Sequence, residues 1–234
     1  MIEFFAFTLK GKSHEINEDR IMVEDSVLSQ GFKNGNQNND FISVICDGVG
    51  GDNAGEVAAD ITATSFIGFD LDNCSPQSIT QHLHRINDRL VEKQKNSPDQ
   101  AGMSTTIAGL IIKGQRFLAF NLGDTRIYRF YKGNMDLLSK DHTNASSFVC
   151  PDALTSYLGD NGESCFPSLR KGDIEPNTMF LICSDGVYKA IDETEIHRIM
   201  YSELSIEQKG RAILRQAYQY GSDDISLVLI NCIL

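Results

Sequence analysis

The sequence predicts an α+β fold in which antiparallel sheet carries its helices on the outside. Three observations lead there. Between residues 105 and 137 apolar runs recur about every ten residues, separated by the turn signals Lys113-Gly114, Gly123-Asp124 and Lys132-Gly133-Asn134, which is the pattern of an antiparallel meander. Within 75–96, Ile79, Leu83, Ile86 and Leu90 fall on one helical face. Helical and strand-like segments are grouped rather than regularly alternating, which argues against a parallel βαβ sheet.

In chain order, strands are expected at about 2–10, 20–24, 41–46, 105–112, 115–121, 126–131, 178–183 and 225–232. The run "QGFKNGNQNND" (30–40) is polar and rich in glycine and asparagine, and reads as an exposed, mobile loop. Helices are expected over 54–69, 75–96 with Pro76 in its first turn, 192–201 and 205–220. No linker or repeat divides the chain, so 1–234 reads as a single domain.

The remaining bulk properties narrow the function. A net charge of −11 disfavours nucleic acid and anionic membrane as partners. The longest apolar stretches are too short to span a bilayer, and "MIEFFAFTLKG" reads as a first strand rather than a leader. Cysteines 46, 74, 150, 165, 183 and 232 show neither a C-x-x-C pair nor zinc spacing. Cys46, Cys183 and Cys232 sit inside apolar runs, so buried free thiols there and a cytoplasmic location are the expectation.

The acids carry the chemistry. Asp47 ends "FISVIC" and Asp185 ends "MFLICS", whereas Glu18 and Asp19 begin "RIMV", and Asp223 and Asp224 begin "ISLVLI". Asp124 lies in the turn between "FLAFNL" and "RIYRF". In an antiparallel sheet one strand's C-terminal end lies beside its neighbour's N-terminal end, so all these acids can reach one edge. Clustered carboxylates raise one another's pKa unless a cation intervenes. Oxygen-only donors select Mg²⁺, Mn²⁺ or Ca²⁺ over zinc. "DGVGGDNAGE" (47–56) fits neither phosphate-loop fingerprint, since Glu56 stands where a P-loop needs lysine. Its glycines are expected to let backbone, including the Gly48 carbonyl, approach a metal.

The ordered motifs "NED" (17–19), "DGVGG" (47–51), "GMSTT" (102–106), "NLGDTRIY" (121–128), "LSKDHT" (138–143), "LTSYLG" (154–159), "LICSDGVY" (181–188) and "SDDISLVL" (222–229) resemble the metal-dependent, type 2C serine/threonine protein phosphatases. The resemblance implies a four-layer α-β-β-α fold, an antiparallel β-sandwich flanked by helices on both sides. It implies hydrolysis of phosphoserine and phosphothreonine in proteins by hydroxide at a binuclear Mn²⁺ or Mg²⁺ site, without a phosphoenzyme. By the same resemblance Asp47 bridges the two ions, Asp185 and Asp223 complete one, and Glu18 with Gly48 completes the other. Asp19 holds a metal-bound water, and Asp124 with Asp185 binds a weaker third ion. The substrate is then a phosphoprotein, opposing a serine/threonine kinase, and the chain is expected to act as a monomer.

Three positions depart from the family. His14 stands where many members use arginine on substrate phosphate, and it lacks the bidentate fork; the bland reading is an exposed loop histidine. Val49 replaces a histidine that can protonate the leaving group in some members, and Asp224 replaces an asparagine. Only ten residues separate "DHT" from "LTSYLG", so the flap beside the site is short. A non-catalytic phosphoprotein-binding module of the same fold is the alternative, and a two-metal hydrolase of nucleotides or nucleic acid a more remote one. Of the other polar residues, Thr105 and Thr106 are candidates to support the metal ligands. His82, His84, His142 and His197 read as structural.

Overall fold

Alternation along the strands dictates the layers. In β1 (Ile2–Leu9), Ile2, Phe4 and Ala6 enter one core while Phe5 enters another on the opposite face. In β14 (Ile225–Cys232), Val228, Ile230 and Cys232 join the first core, and Ile225, Leu227 and Leu229 the second. A strand apolar on both faces needs a covering layer on each.

The computed structural model describes all residues except 39, 50–53, 163, 164 and 234. Numbered in chain order, one six-stranded sheet runs β11 (Asn134–Leu137), β10 (Arg126–Tyr131), β13 (Thr178–Cys183), β14, β1, β4 (Gly31–Gln37). The second runs β12 (Ser168–Asp173), β9 (Arg116–Leu122), β8 (Ile107–Lys113), β5 (Asp40–Cys46), β2 (Arg20–Val23), β3 (Ser26–Leu28). A two-stranded ribbon joins β6 (Gly48–Val49) to β7 (Ser104–Thr105). The two large sheets face each other across a core that includes Phe4, Phe41, Phe117 and Phe180. Each such buried side chain contributes about 1.5–3 kcal/mol.

Helices α1 (Gly55–Thr64) and α2 (Pro76–Asn96) cover the second sheet through Ala59, Ile79, Leu83 and Leu90. Helices α3 (Asp185–Tyr188), α4 (Glu193–Met200) and α5 (Ile206–Tyr220) cover the first through Val187, Ile196 and Ile213. The architecture is thus α+β in four layers, as expected. Ser75 caps α2 by accepting from the Ser78 N–H, while Ser78 returns the bond and Pro76 fills the first position.

The expected loop over 30–40 is instead largely strand. Residues 31–37 form β4, an edge strand paired antiparallel with β1 from Thr8↔Gly31 to Ile2↔Gln37. Its polarity misleads because one face of an edge strand meets solvent. Gly35 leaves room for the Phe4 ring, which a Cβ there would meet at 2.9 Å. The short strands β3, β11 and β12 carry too little apolar sequence to announce themselves, and α1 ends earlier than its pattern suggests.

The fit of α5 on β1 is tight at one point. A methyl on Gly210 would stand 2.3 Å from Cδ1 of the fully buried Phe5. Alanine favours helix over glycine by about 1 kcal/mol, but overpacking a rigid core costs about 1–3 kcal/mol. Gly210→Ala is therefore expected to lower stability by urea denaturation, and an unchanged or raised midpoint would overturn this account of the α5–β1 contact.

Candidate active site

Strand register brings the acids to one edge of the sandwich. Arg20 pairs with Cys46, which sets Asp19 beside Asp47. Arg126 pairs with Cys183, which sets the Asp124 turn beside Asp185. Leu9 and Cys183 pair with Ile225 and Leu227 on the two sides of β14, so Asp223 and Asp224 enter at the same edge.

Asp47 is anchored entirely through its backbone. Its carbonyl accepts from the Thr106 N–H at 2.8 Å and from Thr105 Oγ1 at 2.9 Å, and its own N–H donates to Thr106 Oγ1 at 3.3 Å. The carboxylate is left free to face the site. The Thr106 hydroxyl also bonds the Thr125 hydroxyl at 2.6 Å, so the two threonines tie the Asp47 turn to the Asp124 turn. His142 completes this brace: its Nδ1 accepts from the Gly123 N–H at 3.1 Å and its Nε2 lies 2.9 Å from Ser168 Oγ. Burial and then Lys140 lower its pKa, which keeps the imidazole neutral and able to accept. The other three histidines are also structural: His82, His84 and His197 bond the carbonyls of Ser65, Cys165 and Gly133.

On the opposite side of the edge, Ser184 Oγ donates to Asp19 Oδ2 at 2.8 Å and accepts from the Ser226 N–H at 3.0 Å. Asp224 explains its departure from asparagine. Its Oδ1 accepts from the Gly11 N–H at 2.6 Å and its Oδ2 from the Glu18 N–H at 2.7 Å. Two acceptors are needed, whereas an asparagine offers one oxygen and a donor. Asp224 thereby latches the segment that carries His14 and Glu18 onto the start of β14. His14 is not simply an exposed loop residue: Nδ1 lies 3.1 Å from Asp224 Oδ2 and 3.6 Å from Asp223 Oδ1. Burial opposes its charge, but Asp224, Asp223 and Glu18 outweigh that and raise its pKa.

The glycines of the Asp47 loop serve packing. A Cβ on Gly48 would stand 2.5 Å from the Gly55 backbone and 2.8 Å from the Glu18 carbonyl. Gly50, Gly51 and Asp52 of the same motif lie outside the described residues.

The acids outnumber the cations beside them, His14 and Lys189. Burial, then the charges of Asp19, Asp185, Asp124 and Asp223, holds Asp47 well above the usual carboxylate range. Burial pushes Asp19 up to about 8, with Asp224 and Asp185 adding to it and the Ser226 and Ser184 bonds opposing. Burial and Asp185 push Asp124 up to about 6 against Lys189 and Tyr188. Asp223 is raised by burial and Asp185, and Glu18 by burial with Glu56, Asp224 and Asp223 overcoming His14. Among the described residues no three Asp, Glu, His or Cys side chains close around one point. The acids are neighbours whose shells need carbonyl and water oxygens to complete them. That donor chemistry fits Mg²⁺ or Mn²⁺, which keep several waters and take few protein carboxylates.

Two consequences are measurable. The raised carboxyl groups hold protons in the folded chain that they release in the unfolded one, so stability is fullest near the unfolded pKa of about 4 and is lost as pH rises through the folded values. In EDTA the melting temperature should therefore fall between pH 5.5 and 8, and saturating Mn²⁺ should flatten or reverse the slope because the ion displaces those protons. A flat or rising profile in EDTA would sink this account. Asp224→Asn leaves one buried N–H without an acceptor, an expected loss of about 1–3 kcal/mol in urea denaturation; unchanged stability would remove the latch.

Comparison with known proteins identifies the family and agrees with the fold. The sequence pattern of the protein phosphatase 2C family matches residues 10–220. A serine/threonine phosphatase stp of Listeria welshimeri is 23% identical over 240 residues, spanning 92% of this chain and 94% of that protein. The serine/threonine protein phosphatase PstP of Mycobacterium tuberculosis is 23% identical over 205 residues, spanning 81% of this chain and 40% of that protein. The crystal structure of the serine/threonine phosphatase Stp1 of Staphylococcus aureus superposes with a TM-score of 0.84 at 23% identity, covering 99% of this chain and 95% of that one. The family match takes in Glu18, Asp19, Asp47, Asp124 and Asp185, and the chain belongs to the protein phosphatase 2C family.

Proposed function

We propose that the chain is a metal-dependent serine/threonine protein phosphatase, a phosphoric monoester hydrolase acting on phosphorylated proteins. The observation that carries this reading is the convergence of Asp47, Asp185, Asp223, Asp19 and Glu18 on one sheet edge, where burial and neighbouring acids raise the pKa values of Asp47, Asp223, Asp19 and Glu18. In this reading Asp47 would contribute to both of two Mn²⁺ or Mg²⁺ sites, Asp185 and Asp223 would hold one ion, and Glu18 with the Gly48 carbonyl would hold the other. When bound, such ions make a water nucleophilic near neutral pH and offset charge on the phosphoryl oxygens.

The chain's own residues do the positioning. The Thr105 and Thr106 bonds fix the Asp47 backbone and so the point from which its carboxylate enters the site. Asp19, oriented by Ser184, would hold a water at the centre. His14 lines a cleft of about 530 Å³ with Ser13, Glu15, Ile16, Glu18 and Glu56. There it can face a phosphate oxygen with a single donor, a weaker grip than an arginine fork. Val49 offers no proton to the leaving group, which leaves that proton to solvent. The loop 144–153, closed by the Thr143↔Leu154 bridge, is too short to enclose a peptide, so the cleft stays open to a protein surface.

The further elements of the proposal are a serine/threonine kinase as the opposing activity, a cytoplasmic setting and action as a monomer. The setting is supported by six free cysteines. No helix among the described residues is long and apolar enough to cross a membrane.

The test is Mn²⁺-dependent phosphate release from a phosphothreonine peptide, with Asp47→Asn alongside. Release should vanish in EDTA and fall at least ~10³-fold in the variant, since the transition-state charge loses its principal counter-charge. A folded, Mn²⁺-saturated protein that releases no phosphate would instead favour the non-catalytic phosphoprotein-binding module.

A further inference from the structure

The single turn of α3 directs two consecutive residues at Asp124. Tyr188 donates its hydroxyl to Asp124 Oδ2 at 3.2 Å, and Lys189 Nζ stands 3.8 Å from the same oxygen. Lys189 also donates to Asp185 Oδ2 at 2.7 Å, across one helical turn. Its ammonium thus lies between the acid of the β9–β10 turn and the acid that follows β13. Asp152, on the short loop, adds negative charge from a third element.

The arrangement is braced. The Arg126 guanidinium stacks on the Tyr188 ring at 3.8 Å and forks onto Asp141 at 3.1 and 2.7 Å. Tyr188 is therefore held by its face as well as by its hydroxyl, which fixes the backbone from which Lys189 reaches the two acids. The Asp124 side chain is only 9% exposed, so few directions remain from which another cation could approach. An ammonium and a divalent ion require the same carboxylate oxygens, and two cations within a few ångströms repel strongly.

We propose that Lys189 is a built-in cation that takes the place of a third metal ion between Asp124 and Asp185. The proposal rests on the two-ion phosphatase reading for the neighbouring sites, and it makes Lys189 and Asp124 positioning residues rather than ligands of an exchangeable ion. A tethered charge holds the two turns together whatever the metal concentration. It also engages one oxygen of Asp185, Oδ2, and makes no bond to the other.

The experiment counts ions rather than turnover. The full chain, stripped with EDTA and desalted, is equilibrated against Mn²⁺ up to millimolar concentration, and bound metal is measured by elemental analysis and calorimetry. The unmodified protein should bind two ions. Lys189→Met should bind three, the additional one at least ~10-fold tighter than any third event in the unmodified protein, because a like charge has been removed. Lys189→Met combined with Asp124→Asn should return to two. Equal counts and affinities in the unmodified protein and Lys189→Met would overturn the proposal. So would a raised KM for phosphopeptide with an unchanged ion count, which would assign Lys189 to substrate phosphate. If the unmodified protein binds no Mn²⁺, the two-ion reading fails separately; one ion gained in Lys189→Met still supports the role of Lys189, and none gained overturns it.

Discussion

Repulsion among like charges is the constraint around which this molecule is organised. Asp47, Asp19, Asp124 and Asp223 are each held where ionisation is disfavoured by burial and by the other acids. Left to themselves, such groups would push their turns apart or take up protons. The fold resists the first outcome by tying the backbone of each turn to a neighbour: Asp47 to Thr105 and Thr106, Gly123 to His142, and Gly11 and Glu18 to Asp224. The bonds that hold Asp47 are made with threonine hydroxyls and backbone, which do not titrate, so they persist while the charge at the centre changes. The cost of holding the acids together is thereby stored in the resting protein and becomes available as affinity for cations.

Much of this was legible in the sequence because two simple periodicities coincide. A period of two identifies strands, and antiparallel pairing then decides which of their ends are neighbours. Asp47 and Asp185 at C-terminal ends and Glu18, Asp19 and Asp223 at N-terminal ends can meet only in an antiparallel arrangement, and the register at Arg20↔Cys46 and Arg126↔Cys183 makes them meet. The support given by Thr105 and Thr106 was also foreseeable, since both precede a buried strand close to an expected ligand.

What stayed hidden depends on partners distant in sequence. Nothing in "GFKNGNQ" indicates that β1 will offer it a row of backbone donors and acceptors, and its alternating exposure becomes visible only once that edge exists. The use of Asp224 is similarly remote, because Gly11 and Glu18 lie more than 200 residues away and present N–H groups that carry no sequence signature. Lys189 looks like an ordinary surface lysine until the Asp124 turn is placed above it. The short flap, by contrast, follows from loop length alone.

The pairing of β1 with β14 has a consequence for how the protein comes into being. These central strands are joined along their whole length, from Ile2↔Cys232 to Leu9↔Ile225, and Met1 bonds Ile233 across 232 residues of chain. During synthesis β1 leaves the ribosome early and must wait, without its main partner, until β14 follows. Such distant pairings form slowly, since loop closure precedes any gain from contact. Asp223 and the Asp224 latch arrive with that last strand, so a nascent chain has no complete edge at which to gather its acids. A chain cut short before β14 would lack Asp223 and the Asp224 latch, so the site could be assembled only after residue 232 has been made.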